Sequence, residues 1–242
     1  MNTGDRRILG VTLARGGSKR VPSKNIRPLA GAPLIAHTIR EAQKSQYLTD
    51  YIVSTDDEHI RSVSQSLGAT VPFLRPQNLS SDVATSVSAL QHAVKWMEKT
   101  HSCRYEFIVE VMATNPLKTV HDIDSCIELL IDSHADSAIA VHEVGDAHPA
   151  RVKRLEDGLI RDFCVPEPIE ARRQDLLPKA YIRSGSVYAV TREELMVHGR
   201  RYGSGNSRAY LLPESRALNI DSERDFMLAE AIIASHEEGA GR

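Results

Sequence analysis

An unbroken apolar run, Ile8-Leu9-Gly10-Val11-Thr12-Leu13-Ala14, leads straight into a polar loop, Arg15-Gly16-Gly17-Ser18-Lys19-Arg20-Val21-Pro22-Ser23-Lys24-Asn25. A β-branched run without polar alternation belongs to a strand covered on both faces, as in a parallel α/β sheet. The loop at the C-terminal end of such a strand lies where these sheets bind ligands. Gly16 and Gly17 let the backbone turn tightly and bring N–H groups toward an anion. Arg15, Lys19, Arg20 and Lys24 place four cations within ten residues. The segment therefore reads as a phosphate cradle, although a solvated basic loop would have the same composition. It is not GxxxxGK[ST], so it is not a P-loop, and no GxGxxG follows the strand.

The same alternation continues for about 140 residues. Leu34, Ile35, Thr38, Ile39 and Ala42 have helical spacing after Pro33, and Tyr51–Ser54 reads as a second strand. Ile60, Val63 and Leu67 mark a helix stopped by Gly68, and Ala69–Leu74 reads as a third strand. Asp82–Lys99 and Ile123–Ile131 read as helices, and Phe107–Met112 and Ser137–Val144 as strands. This order predicts an α/β fold, a mostly parallel sheet in three layers. Residues 145–185, rich in Pro, Arg and Asp, break the pattern and read as a small excursion with strand-like pieces at Val152–Leu155 and Leu159–Phe163. Ser186–Thr191 returns to the sheet, Asp221–Ser235 closes the chain as an amphipathic helix, and Glu237–Arg242 reads as a frayed end.

The 242 residues carry Lys+Arg 30 against Asp+Glu 32, a net charge of -2 that argues against a nucleic-acid partner. No stretch approaches the ~18 apolar residues of a membrane span, and the polar start Met1–Arg7 has no leader pattern. Cys103, Cys126 and Cys164 show no pairing or zinc spacing, which predicts reduced thiols and a cytoplasmic setting. None of the ten histidines falls in a metal motif. His37, Trp96 and Met97 read as packing residues, and Asp56 and Asp57 as helix caps at the ligand edge, where either could also approach a metal.

With these segments in place, the chain resembles the acylneuraminate cytidylyltransferase family, the CMP-sialic acid synthetases. The resemblance rests on ARGGSKRVPSKN, on Val53-Ser54-Thr55-Asp56-Asp57, and on Leu74-Arg75-Pro76 followed by Leu79-Ser80-Ser81-Asp82. It continues in Arg172-Arg173-Gln174-Asp175 with Tyr181–Tyr188, and in Asn219-Ile220-Asp221. It implies a Rossmann-like nucleotidyltransferase fold, a single domain over 1–242 whose arm at about 145–185 crosses a homodimer interface, and CMP transfer from CTP to a 2-keto-3-deoxy sugar acid. It also implies a divalent cation, Mg2+, at Asp221 and Asn219.

By the same resemblance, Arg15 and Lys24 contact the phosphates and with Asp221 form the catalytic set. Ala14, Lys19, Asn25, Arg75, Ala84 and Ser86 complete the nucleotide site. Arg173 and Arg151 are the first choices for the acceptor's carboxylate, which suits arginine's planar fork. Arg183, Tyr188 and Met112 are further substrate contacts. Some of these residues serve the partner subunit's site if the arm crosses.

Three departures stand out. Asn219 replaces the first aspartate of the family's late Asp-x-Asp and supplies an oxygen without charge. Met112 replaces a glutamine, which alters acceptor recognition. The Gly16-Gly17 pair opens the loop. Asp221 suits a helix N-cap as well as a metal. The acceptor is expected to be of sialic, legionaminic or pseudaminic type. A 3-deoxy-manno-octulosonate or phosphonate acceptor stays open, as does a non-catalytic nucleotide-binding module that Asn219 would favour.

Overall fold

The computed structural model describes residues 6–240, with side chains to residue 235. Met1–Asp5, part of the expected leaderless start, and the last two residues of the expected frayed end lie outside the described residues. The strands are β1 (Ile8–Leu13), β2 (Pro28–Leu29), β3 (Ala32–Pro33), β4 (Asp50–Ser54), β5 (Phe107–Val111), β6 (Ser137–Glu143), β7 (Lys153–Glu156), β8 (Leu159–Asp162), β9 (Tyr181–Thr191) and β10 (Ser207–Leu211). The helices are α1 (Leu34–Ala42), α2 (Glu58–Ser66), α3 (Ser86–His101), α4 (Val120–Asp132), α5 (Arg192–Met196) and α6 (Glu223–Ala240).

Six strands form the central sheet in the order β10-β6-β9-β5-β1-β4. All run one way except β9, which pairs antiparallel with both β5 and β6. The mostly parallel expectation therefore holds, with one reversed strand delivered by the excursion. Alternate residues of β5 face opposite layers: Phe107, Val109 and Val111 pack with Ile123, Cys126, Ile127 and Leu130 of α4. Ile108 packs on the other face with Leu90, Ala93, Val94 and Met97 of α3 and Leu195 of α5. Covering both faces removes the need for polar alternation, so β1 and β5 read as continuous apolar runs.

Several boundaries move for physical reasons. Ala69–Leu74 does not become a strand; only Thr70 and Leu74 make isolated bridges, to Ile52 and Thr55. Pro72 between them has no N–H to give a ladder. α3 begins at Ser86 rather than Asp82, because Thr85 is its N-cap and accepts from Ser88 N at 3.1 Å. β9 runs eleven residues and starts five earlier than expected. Its pairing with β6 shifts register between Ile139 and Val141. Gly185, with φ +62, lies in that irregular stretch and hides the strand from a sequence pattern.

The excursion contains the β7–β8 hairpin, closed by Asp157-Gly158 with both residues left-handed. α6 packs Phe226 and Ala229 on Val21, Leu29 and Leu34, together with Ile220. This small apolar cluster brings the chain just before α6 against the first loop.

Candidate active site

The first loop is held at several points. Asn25 is buried and its Nδ2 donates to Arg15 O at 3.0 Å. Gly16 N donates to Asp56 Oδ1 at 3.2 Å, and a Cβ on Gly16 would stand 2.6 Å from Asp57 Oδ2, so a side chain there would displace Asp57. Asp57 caps α2 through Ile60 N, as expected, whereas Asp56 serves the loop. Arg15 and Lys19 both reach Asp82, at 3.0 and 2.5 Å. The two cations hold the Asp82 carboxyl below its ordinary pKa.

Lys24 closes the other side. Its ammonium donates to Ile220 O at 2.8 Å and to Asp221 Oδ1 at 3.1 Å, across 197 positions of sequence. Asp221 also accepts from Asn219 Nδ2 at 2.6 Å. Its carboxylate does not cap α6: Asp225 takes the N–H groups of Asp221 and Ser222, at 2.9 and 2.8 Å. The Asp221 carboxylate is thus left to Lys24 and Asn219.

Between these groups lies a cavity of about 330 Å³. Among the residues expected in the site, Arg15, Lys24, Asn25, Arg75, Ala84, Ser86 and Met112 line it. Arg75 is not a surface residue: at 5 % exposure it donates to Ser80 Oγ at 2.9 Å and Ser54 O at 3.2 Å. Burial lowers its pKa, opposed by the Asp56 carboxylate 3.8 Å away. Ala14 is buried beneath the loop, and Lys19 reaches Asp82 at the rim.

A cytidylyltransferase family model matches residues 9–201. The chain belongs to that family. A pseudaminic acid cytidylyltransferase of Campylobacter jejuni is 30% identical over 94% of this chain and 96% of its own. A CMP-N,N'-diacetyllegionaminic acid synthase of Legionella pneumophila is 29% identical over 96% and 98%. A solved CMP:2-keto-3-deoxy-manno-octonic acid synthetase, complexed with CTP, shares the fold at TM-score 0.69 and 18% identity, covering 95% of this chain and 99% of that one.

This cytidylyltransferase scatters its other expected residues. Arg151 is tied to Asp146 Oδ1 at 3.0 Å and to Ala171 O at 3.0 Å, and Arg173 lies 3.9 Å from Glu214. Neither lines the cavity of its own chain. Arg183 stacks on Tyr202, 4.7 Å from its centroid, and Tyr188 is buried beneath Arg201.

Among the described residues no three His, Cys, Asp or Glu side chains converge as a metal cage. A magnesium ion that shares phosphate oxygens and keeps its waters needs only one or two carboxylates. Asp221 offers one, while Asn219 turns its Nδ2 to that carboxylate and keeps Oδ1, buried and without a partner, on the Gly185 side. That donor set fits such an ion.

Glu110, Arg201 and Asp82 had no site role in the sequence reading. Glu110, 2 % exposed, lies on the cavity lining in register with Met112 and Thr114, and pairs with Arg201. Burial raises its pKa, opposed by the Arg201 charge. Its one visible signal was a carboxylate inside the apolar run FIVEV. Asp82 was read as the start of a helix and instead pairs with the loop's cations.

Proposed function

We propose that this protein transfers CMP from CTP to a nonulosonic acid of the pseudaminic, legionaminic or sialic type, releasing pyrophosphate. The observation that carries the reading is that Lys24, which lines the cavity with Arg15, also holds Asp221. It joins a cationic loop suited to phosphates with a carboxylate suited to their counter-ion. The relatives, named for pseudaminic and N,N'-diacetyllegionaminic acids, supply the acceptor class.

In this reading the acceptor's anomeric hydroxyl oxygen bonds to the α-phosphorus of CTP. The bond from that phosphorus to the bridging oxygen breaks, pyrophosphate leaves, and the hydroxyl proton passes to solvent. Arg15 and Lys24 neutralise charge on the phosphates, with Lys19 at the rim. The loop is held in place before substrate arrives by Asn25 and Asp56, and such preorganisation is where rate is gained in phosphoryl chemistry. Arg75, Ala84 and Ser86 take the nucleoside end. Magnesium, held by Asp221 with Asn219 beside it, supplies further neutralisation of phosphate charge when bound.

The arm belongs to the same proposal. Leu155, Leu159, Ile160, Phe163 and Ile169 are exposed at 54 % or more, a concentration of apolar surface that a second copy would cover. An arm crossing to that copy would bring Arg151 and Arg173 to its cavity. No described helix is long and apolar enough to cross a membrane. The three unpaired cysteines suit a reducing cytoplasm.

The test is incubation with CTP, Mg2+ and each acid in turn, following pyrophosphate. Release with at least one nonulosonic acid is expected, and none with Asp221→Ala. CTP binding without turnover for any acid would leave only a nucleotide-binding module.

A further inference from the structure

The segment after α5 carries Arg200-Arg201-Tyr202 back over the sheet. The Arg201 guanidinium lies 4.1 Å from the centroid of the Tyr188 ring and donates through Nη1 to Glu110 Oε2. Tyr202 leans on Tyr188 with ring centroids 5.8 Å apart. Arg183 lies over Tyr202 and donates to its hydroxyl. Arg201 and Tyr202, with Thr85 and Ser86, line a cleft of about 350 Å³. Thr85 and Ser86 also line the main cavity, so the two spaces meet at the start of α3. Arg201 stands at their border, lining the cleft while its partner Glu110 lines the cavity.

This arrangement has the properties of a carboxylate receptor. The guanidinium plane is fixed by the ring on one side and by the Glu110 contact at one nitrogen. Among the described residues Glu110 is the one hydrogen-bond acceptor of Arg201, so Nε and Nη2 remain as donors. A planar fork with its orientation set in advance binds a carboxylate with little ordering cost. Glu110 offsets the Arg201 charge when the site is empty, which avoids an unpaired buried charge. Sheet order agrees: Arg75 lies beside β4, the phosphate loop follows β1, and Glu110 and Tyr188 are on β5 and β9. The space over β5 and β9 is therefore next in line past the phosphates, where an attacking acceptor must sit.

We propose that Arg201, oriented by Glu110 and Tyr188, binds the carboxylate of the acidic acceptor in this cleft and is the residue that selects acids. Arg183 adds a second positive charge beside Tyr202, and Tyr202, which lines the cleft, offers apolar surface to the sugar. The inference rests on the transfer reading and deepens it.

The test compares each acid, with N-acetylneuraminate as the first probe, against its carboxamide. The wild type should favour the acid in kcat/KM by about 10- to 100-fold, the range of hydrogen bonds to a charged group. Arg201→Lys keeps the charge and the Glu110 partner but loses the fork. It should raise the acceptor's KM about tenfold or more, leave the KM for CTP within a few-fold, and flatten the acid-to-amide ratio. That ratio is internal to each protein, so partial misfolding does not change it. An unchanged ratio in Arg201→Lys, or a ratio lost in Arg173→Gln instead, overturns the proposal. Calorimetry with CTP present separates it from the transfer reading. Acid binding that depends on Arg201 without CMP transfer would sink the reading and keep the subsite; no acid binding would sink the subsite.

Discussion

Lys24 is the side chain on which the site turns. Its stem is mostly buried, yet its ammonium reaches both Ile220 O and Asp221. Replacing it with Met keeps the stem and removes the charge. Lys24→Met should lower kcat about 10²- to 10³-fold, the usual cost of losing a preorganised donor to developing charge. Steady-state kinetics with CTP and the best acid checks this. The prediction fails if only KM for CTP moves. Asn219→Asp restores a second carboxylate beside Asp221 and should lower the Mg2+ concentration for half-maximal rate, read from a magnesium titration. At this scale the sequence was informative about the loop, because four cations and two glycines are local. The resemblance put Lys24 and Asp221 in one catalytic set, but their direct contact was not local information, and neither was the Glu110–Arg201 pair. Each needs two distant segments brought together, which no spacing rule encodes.

At the scale of elements, two buried charges tie the floor of the site to its frame. Asp122 of α4 accepts from Arg216 Nε and Nη2 at 2.9 and 2.7 Å and from Tyr210 at 2.9 Å. Burial raises its pKa, but Arg216, the Thr119 N–H and Tyr210 outweigh that and hold it below the ordinary value. The segment that Arg216 anchors continues to Ile220, whose N–H donates to Thr114 O at 2.8 Å. Asp122→Asn should cost about 3–5 kcal/mol, the range for breaking a buried pair. Urea unfolding measures it, and a loss under 1 kcal/mol would contradict the assignment.

Lys118 is fully buried and donates to Thr38 Oγ1, Met112 O and Asn115 O. Burial pushes its pKa down to about 7, against the pull of Glu41 and Asp122. A lysine lowered on folding is protonated in the unfolded chain over a range where the native one is neutral. Its charge therefore weakens the native state fully below about pH 7, and stability is regained as pH rises toward the ordinary value of 10.5. Wild type should gain stability relative to Lys118→Met between pH 7 and 9, read as the difference in Tm; a difference that is flat or falls with pH would refute it. The elements themselves were largely legible, since apolar runs and helical spacing mark them. The failures were Pro72, which denies an edge ladder its donor, the polar Arg183–Ser186 stretch, which disguises half of β9, and the edge strand β10, for which no strand was expected.

At the scale of the whole molecule, the exposed apolar arm predicts a dimer. Light scattering should give twice the 26.8 kDa chain mass. Leu155→Glu with Ile160→Glu should shift the protein to monomer and raise the acceptor's KM if the arm serves a second copy's site. A monomeric wild type at tens of micromolar would remove the arm's proposed role. The amino-acid order alone determined the α/β class, the basic loop at a strand's end and the kinship with cytidylyltransferases, because these depend on neighbours in the chain and on burial of continuous apolar runs. Only the folded chain decided which carboxylate meets which cation. Packing Phe226 and Ile220 on Leu29 and Leu34 brings Asp221 to Lys24, and pairing β5 with β9 sets Tyr188 opposite Glu110. Contacts between distant segments follow from how whole layers bury their apolar faces, and that is a property of the assembled core.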